Sequence, residues 1–206
     1  MTVEHLLTKY PLISEQVTAE EVLIVLRHLE QVLRQTIPGS VVEFGCYSGT
    51  TSLFIMRLLQ SIAQSPPFHV YDSFAGLPPK TSLDESPAGQ QFKEGALAAS
   101  KADFIRHFKQ ANLPLPVIHK QWFRELQDID VPSVINFAFL DGDYYDSIKT
   151  CLHLIEHKLS PGSVIIIDDY QSEALPGVAK AVDEWLTNRP QVRLKIHASL
   201  AIITDL

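Results

Sequence analysis

Two short segments carry the acidic residues whose types and spacing point to chemistry. Phe139-Leu140-Asp141-Gly142-Asp143 and Ile166-Ile167-Asp168-Asp169-Tyr170 each place carboxylates at the end of an apolar run. If those runs are strands of one sheet, Asp141, Asp168 and Asp169 converge at its edge. Carboxylates in a small space repel one another, and raised pKa values or a bound cation relieve the repulsion. A ligand set made only of oxygen suits Mg²⁺, or another hard divalent cation, better than Zn²⁺. Asp141, Asp168 and Asp169 are therefore the expected metal ligands. Asp143 lies beside them without an assigned role. The histidines add little: His153 and His157 fit a solvated helix face at i,i+4 spacing, and His119 stands at a strand end.

A second cluster of signals lies earlier in the chain. Val41-Val42-Glu43-Phe44-Gly45-Cys46-Tyr47-Ser48-Gly49-Thr50-Thr51 runs from an apolar stretch through a turn into a helical pattern. Gly45 and Gly49 let the backbone pass close to a ligand, and the helix start beyond offers free N–H groups to an anion. Ser48 and Thr51 add hydroxyl donors, and Glu43 is placed to hold a cationic amine directly or through water. The dinucleotide fingerprint G-x-G-x-x-G is not met, because Tyr47 occupies the second glycine position and obstructs a pyrophosphate. Further on, Asp72 follows Phe68–Tyr71, where an acid can accept hydrogen bonds from both ribose hydroxyls of an adenosine cofactor. A carboxylate anion, an amine and a ribose together describe S-adenosylmethionine.

The elements that must position these residues are legible as alternation. A helix from Ala19 to Gln35 opens on the capping-box pair Thr18 and Glu21, presents Val22, Leu26, Leu29 and Leu33 on one face, and ends at Pro38-Gly39. Short continuous apolar runs follow at Val41–Phe44, Phe68–Tyr71, Val117–His119, Ile135–Leu140 and Val164–Ile167. Runs of this kind suit strands buried on both faces. Helix-length segments at Thr50–Ala63, Lys101–Gln110 and Ser147–Lys158 separate them, which predicts a doubly wound parallel sheet. After a helix over Val178–Thr187, Val192–His197 and Leu200–Thr204 are parted only by Ala198 and Ser199, an antiparallel hairpin. The expectation is one α/β domain over residues 1–206, with a mostly parallel seven-stranded sheet ending in that hairpin, as in class I methyltransferases. An N-terminal helical segment covers residues 1–38. Residues 77–100, with Pro78, Pro79, Pro87, Gly89 and Gly95, lack periodicity and read as a lid loop.

Composition sets the outer bounds. The 206 residues carry 17 basic and 24 acidic side chains, a formal charge of −7, which disfavours nucleic-acid binding. No apolar stretch is long enough to span a bilayer, and no signal-peptide pattern opens the chain, so neither a membrane nor export is expected. Cys46 and Cys151 form no CxxC pair, which fits a reducing cytoplasm.

Several motifs together resemble the macrocin O-methyltransferase family, which acts on antibiotic sugars and related natural products. Tyr71-Asp72-Ser73-Phe74-Ala75-Gly76-Leu77-Pro78 is similar to its DSFEGLP segment, and Gln121-Trp122-Phe123 to its GWF. Leu140 to Ser147 resembles LDGDxYxS, and Ser160-Pro161-Gly162 through Asp168-Asp169-Tyr170 resembles SPGG…IDDY. Glu94 to Ser100 and Pro176 to Val182 are similar to family segments as well. The resemblance implies a Mg²⁺-dependent O-methyltransferase using S-adenosylmethionine on a small-molecule hydroxyl, with Asp141 both a ligand and the candidate general base. It adds Tyr47, Ser73 and Trp122 to Glu43, Gly45, Ser48, Gly49, Thr51 and Asp72 as cofactor-binding residues. A homodimer fits this resemblance. Three other classes stay open: an NAD-linked oxidoreductase, a metal-dependent hydrolase and a catalytically silent binding module.

Overall fold

The computed structural model describes residues 2–62 and 65–206. Strands β1 (Ser40–Phe44), β2 (Phe68–Asp72), β3 (Val117–Lys120), β4 (Ile135–Leu140), β5 (Leu159–Ile167), β6 (Arg193–His197) and β7 (Leu200–Thr204) make one sheet in the order β3-β2-β1-β4-β5-β7-β6. β1 to β5 pair in parallel, while β7 runs antiparallel to both β5 and β6. The doubly wound sheet and its terminal hairpin are as the apolar runs predict. The chain leaves β1 toward β2 and β3, then returns to place β4 on the other side of β1. That reversal opens a crevice beyond the carboxyl ends of β1 and β4.

Strand alternation divides the core. Val41, Phe137, Phe139, Val164 and Ile166 face α1 (Val3–Lys9), α2 (Ala19–Arg34), α3 (Thr50–Leu59) and α4 (Lys101–Gln110). Val42, Phe44, Ala138, Leu140, Ile165 and Ile167 face α5 (Tyr145–Ile155) and α6 (Pro176–Leu186). Both faces of β1 and β4 are buried, which is why their sequences read as unbroken apolar runs. The Thr18–Glu21 capping box opens α2 as its sequence predicts.

Two expectations about boundaries change. The helix expected over Thr50–Ala63 ends at Leu59, and Ala63 lies outside the described residues. The helix expected from Ser147 begins at Tyr145 instead. Its start is capped from a distance: Asp84 Oδ1 accepts the Tyr145 N–H at 2.7 Å, while Asp84 Oδ2 accepts from Thr81 N and Oγ1. No signal near Tyr145 in the sequence announces such a cap.

The same contact redefines the irregular stretch 77–100. Asp84 is fully buried, and a side chain at Gly177 would come within 2.0 Å of its Oδ1. Ser86 Oγ donates to Glu173 O, and Leu77 exchanges backbone hydrogen bonds with Ala96 and Gly95. A Cβ on Gly89 would strike the Ala174 carbonyl at 2.1 Å. The stretch is therefore a wall pinned against the start of α5 and α6 in its middle.

Candidate active site

The site is assembled on a tight approach between two strand ends. Asp141 N–H donates to Phe44 O, and a Cβ on Gly45 would lie 1.8 Å from the Asp141 carbonyl oxygen. Gly45 also has φ +86°, so both space and backbone conformation require glycine there. The turn continues through Tyr47, at φ 47°, to Gly49, at φ 93°. Asp72 fixes this turn: its Oδ2 accepts the N–H groups of Cys46 and Tyr47 at 2.9 and 3.1 Å, and its Oδ1 accepts that of Phe74 at 2.7 Å. Asp72 thus braces the glycine turn as well as facing the crevice, a role its position at a strand end did not reveal. A carboxylate has about four lone-pair sites, which leaves Asp72 limited capacity for a ribose.

A cavity of roughly 1130 Å³ occupies the crevice. Of the residues expected at the cofactor, Gly45, Tyr47, Asp72, Ser73 and Trp122 line it. Glu43, Ser48, Gly49 and Thr51 do not. Glu43 is on the same strand face as Val41, so it points into the α2–α3 layer, where its Oε2 accepts from Ser52 Oγ at 2.5 Å. Burial raises its pKa to about 8. Glu43 Oε2 thus ties α3 to β1, while its Oε1 is buried without a partner among the described residues. Gly49 begins α3 with no side-chain cap, Thr51 is buried in its first turn, and the Ser48 hydroxyl is enclosed without a partner.

The second half of the site is acidic. Asp141, Asp143, Asp168 and Asp169 all line the cavity. Oxygens of Asp141, Asp143 and Asp169 lie within 4.8 Å of one another. Asp143 therefore joins the group, and Asp168 stands outside this tightest set. Asp168 and Asp169 both lie in the turn that follows β5. Asp168 Oδ1 accepts from Asp169 N at 2.8 Å and lies 3.2 Å from Ser199 Oγ. Asp143 and Asp169 both hold left-handed backbone, φ 60° and 58°, a local strain of the kind found at functional sites.

Desolvation, followed by the neighbouring carboxylates, pushes the pKa values of Asp141 and Asp143 well up. The same causes, again led by burial, raise Asp168 to about 7, and burial with the nearby Glu21 raises Asp169 to about 6. Among the described residues no side chain donates to the Asp141 or Asp143 carboxylate. Opposed ligands of Mg²⁺ sit about 4.2 Å apart, twice its usual 2.0–2.1 Å bond, so oxygens spread over up to 4.8 Å would close in slightly around such an ion. The all-oxygen donor set and its unrelieved repulsion fit one as well.

Other residues fall outside expectation. His119 does not line the cavity; it stacks on Tyr71 at 4.4 Å and pairs with His69. Tyr144 does line it, next to Asp143, with its hydroxyl buried and unpartnered. The family motif quoted above leaves that position free, so no sequence signal marked it.

The macrocin-O-methyltransferase (TylF) family model matches residues 8–202. The chain belongs to that family. Among curated relatives of this TylF-family chain, the 8-demethyl-8-(2,3-dimethoxy-alpha-L-rhamnosyl)-tetracenomycin-C 4'-O-methyltransferase of Streptomyces olivaceus is 28% identical over 71% of this chain. The mycinamicin III 3''-O-methyltransferase of Micromonospora griseorubida is 28% identical over 85%. The chain spans 58% of the length of the first and 72% of the second. The solved structure of the O-methyltransferase NovP superposes with a TM-score of 0.77 at 23% identity, covering 90% of this chain and 79% of NovP. The calicheamicin methyltransferase CalS11 gives 0.71 at 20% identity, covering 98% of this chain and 89% of CalS11. The fold is that of the class I methyltransferases.

Proposed function

We propose that this TylF-family chain is an S-adenosylmethionine-dependent O-methyltransferase, supported by Mg²⁺ or another hard divalent cation, acting on a hydroxyl of a sugar-bearing natural product or similar small molecule. The observation that carries this reading is the abutment of two sub-sites: the glycine turn braced by Asp72 touches the acidic group through the Gly45–Asp141 contact. A cofactor held at the first would present its methyl group to an acceptor held at the second. The relatives' names supply the acceptor class, since they are O-methyltransferases of a rhamnosyl-tetracenomycin and of mycinamicin III.

Asp141, Asp168 and Asp169 would hold the cation, as expected from the sequence. The cation would hold the acceptor oxygen and steady its developing charge. Gly45, Tyr47, Asp72, Ser73 and Trp122 line the cofactor end, and Ser48, Gly49 and Thr51 hold the helix start behind it. Asp141 is the candidate proton acceptor, and Asp143 stands beside it as a second one. Both carboxylates meet the charges of Asp168 and Asp169, and Asp143 meets that of Asp72 in addition. The pinned stretch 77–97 and Tyr144 wall the acceptor side, so methyl transfer relies on positioning. Both cysteines are free and buried, in keeping with a reducing cytoplasm.

The test is transfer of labelled methyl from S-adenosylmethionine to a panel of acceptors that includes rhamnosylated compounds and mycinamicin III. EDTA should abolish turnover and Mg²⁺ restore it. Asp143→Asn should lose about 100-fold or more in rate, the scale of general-base catalysis. Undiminished transfer by a sample shown metal-free by elemental analysis would remove the ion from the reaction.

A further inference from the structure

The terminal hairpin reaches the acidic group from outside the strand ends already described. β7 pairs antiparallel with β5, matching Ile167 to Ala201. Continued by two residues, this register sets the hairpin turn residue Ser199 level with Asp169. The turn is tied there: Gln171 N donates to Ser199 O at 3.3 Å. Ser199 Oγ lies 2.7 Å from Glu21 Oε1 and 3.2 Å from Asp168 Oδ1. Glu21 is itself immobilised, because its Oε2 accepts from both the N–H and hydroxyl of Thr18 at the start of α2. Three distant segments, the start of α2, the end of β5 and the hairpin turn, therefore meet at the Ser199 hydroxyl.

We infer that Ser199, anchored by Glu21, is a positioning residue that fixes the Asp168 carboxylate toward the cation. The inference rests on the metal-supported reading above. Oδ1 accepts the Asp169 N–H and lies against the Ser199 hydroxyl, whose single proton it shares with Glu21, while Oδ2 has no protein donor among the described residues and would be the oxygen turned to the ion. Partners behind a ligand orient it and sharpen its affinity, and their loss usually costs about 10- to 100-fold in metal binding. The capping glutamate of α2 thus has two functions, one in each carboxylate oxygen. It also gives the antiparallel strand a purpose: its start, with the tight turn before it, lies at the carboxyl ends of the parallel strands.

The test uses the full chain, stripped of metal, with Mn²⁺ as the probe and free Mn²⁺ read by electron paramagnetic resonance. Ser199→Ala should weaken Mn²⁺ binding about 10- to 100-fold while S-adenosylhomocysteine binding stays within about threefold. Ser199→Thr, which keeps the hydroxyl, should restore Mn²⁺ affinity to within about threefold of the parent. Parent-like Mn²⁺ binding by Ser199→Ala overturns the inference, as does a parallel loss of ion and S-adenosylhomocysteine binding, or failure of the threonine variant to rescue. If the parent chain itself binds no Mn²⁺, the metal-supported reading fails first and this inference with it.

Discussion

The two halves of the site are built in opposite ways. At the end of β2, Asp72 accepts three backbone N–H groups and holds a strained glycine turn in place. At the ends of β4 and β5, four carboxylates face one cavity, and two of them have no side-chain donor among the described residues. One acid is spent on structure; the others remain in mutual repulsion. An acid whose lone pairs are satisfied by the backbone stabilises the fold whether or not a ligand is present. Acids held together without partners cost stability and are relieved by a cation.

The sharpest way to break this contrast is to remove one charge from each half. Asp72→Ala leaves the N–H groups of Cys46, Tyr47 and Phe74 without their acceptor. It should destabilise the protein by roughly 2–4 kcal/mol in chemical denaturation and weaken S-adenosylhomocysteine binding. Asp143→Asn removes repulsion at nearly constant shape. It should leave stability unchanged or raise it by up to about 1 kcal/mol. Equal destabilisation by both substitutions would contradict the division of roles.

A smaller effect comes from pH. Burial raises the pKa values of Glu43, Asp168 and Asp169 to about 8, 7 and 6. Between the ordinary carboxylate range and these values, the native state binds protons that the unfolded chain has released. Their contribution is complete below about pH 4 and is lost as pH rises through the folded values. The metal-free protein should therefore melt at progressively lower temperature from pH 5 to pH 8, and saturating Mg²⁺ should flatten the decline. Glu43→Gln keeps an acceptor for Ser52 and should remove the upper part of the slope, between pH 7 and 8. A melting temperature that rises over this interval would contradict the sign.

What the sequence disclosed follows from what is local. Apolar runs at Val41–Phe44 and Ile135–Leu140 are continuous because both faces of those strands are buried, and Ala198-Ser199 is too short to join anything but a hairpin. The acids at Asp72, Asp141, Asp168 and Asp169 were legible because strand ends in a doubly wound sheet share an edge. Orientation was less legible. Glu43 is one residue from Phe44 yet points to the opposite layer, and a strand's register against its helices decides which. Contacts across long separations left no local trace: Asp84 caps α5 from 61 residues away, and Ser199 meets Glu21 across 178. In the stretch 77–100 proline and glycine erase periodicity, so the ties of Asp84, Ser86 and Gly89 to the starts of α5 and α6 left no local signal.

The central claim is that a cofactor sub-site and a cation sub-site abut at Gly45 and Asp141 while depending on different residues. Calorimetric titration of S-adenosylhomocysteine, then Mn²⁺, into metal-free parent and Asp141→Asn protein tests it most directly. The account predicts S-adenosylhomocysteine binding by both proteins and Mn²⁺ binding by the parent alone. A folded, metal-free parent that binds no S-adenosylhomocysteine, or an Asp141→Asn variant that binds Mn²⁺ as tightly as the parent, would contradict it.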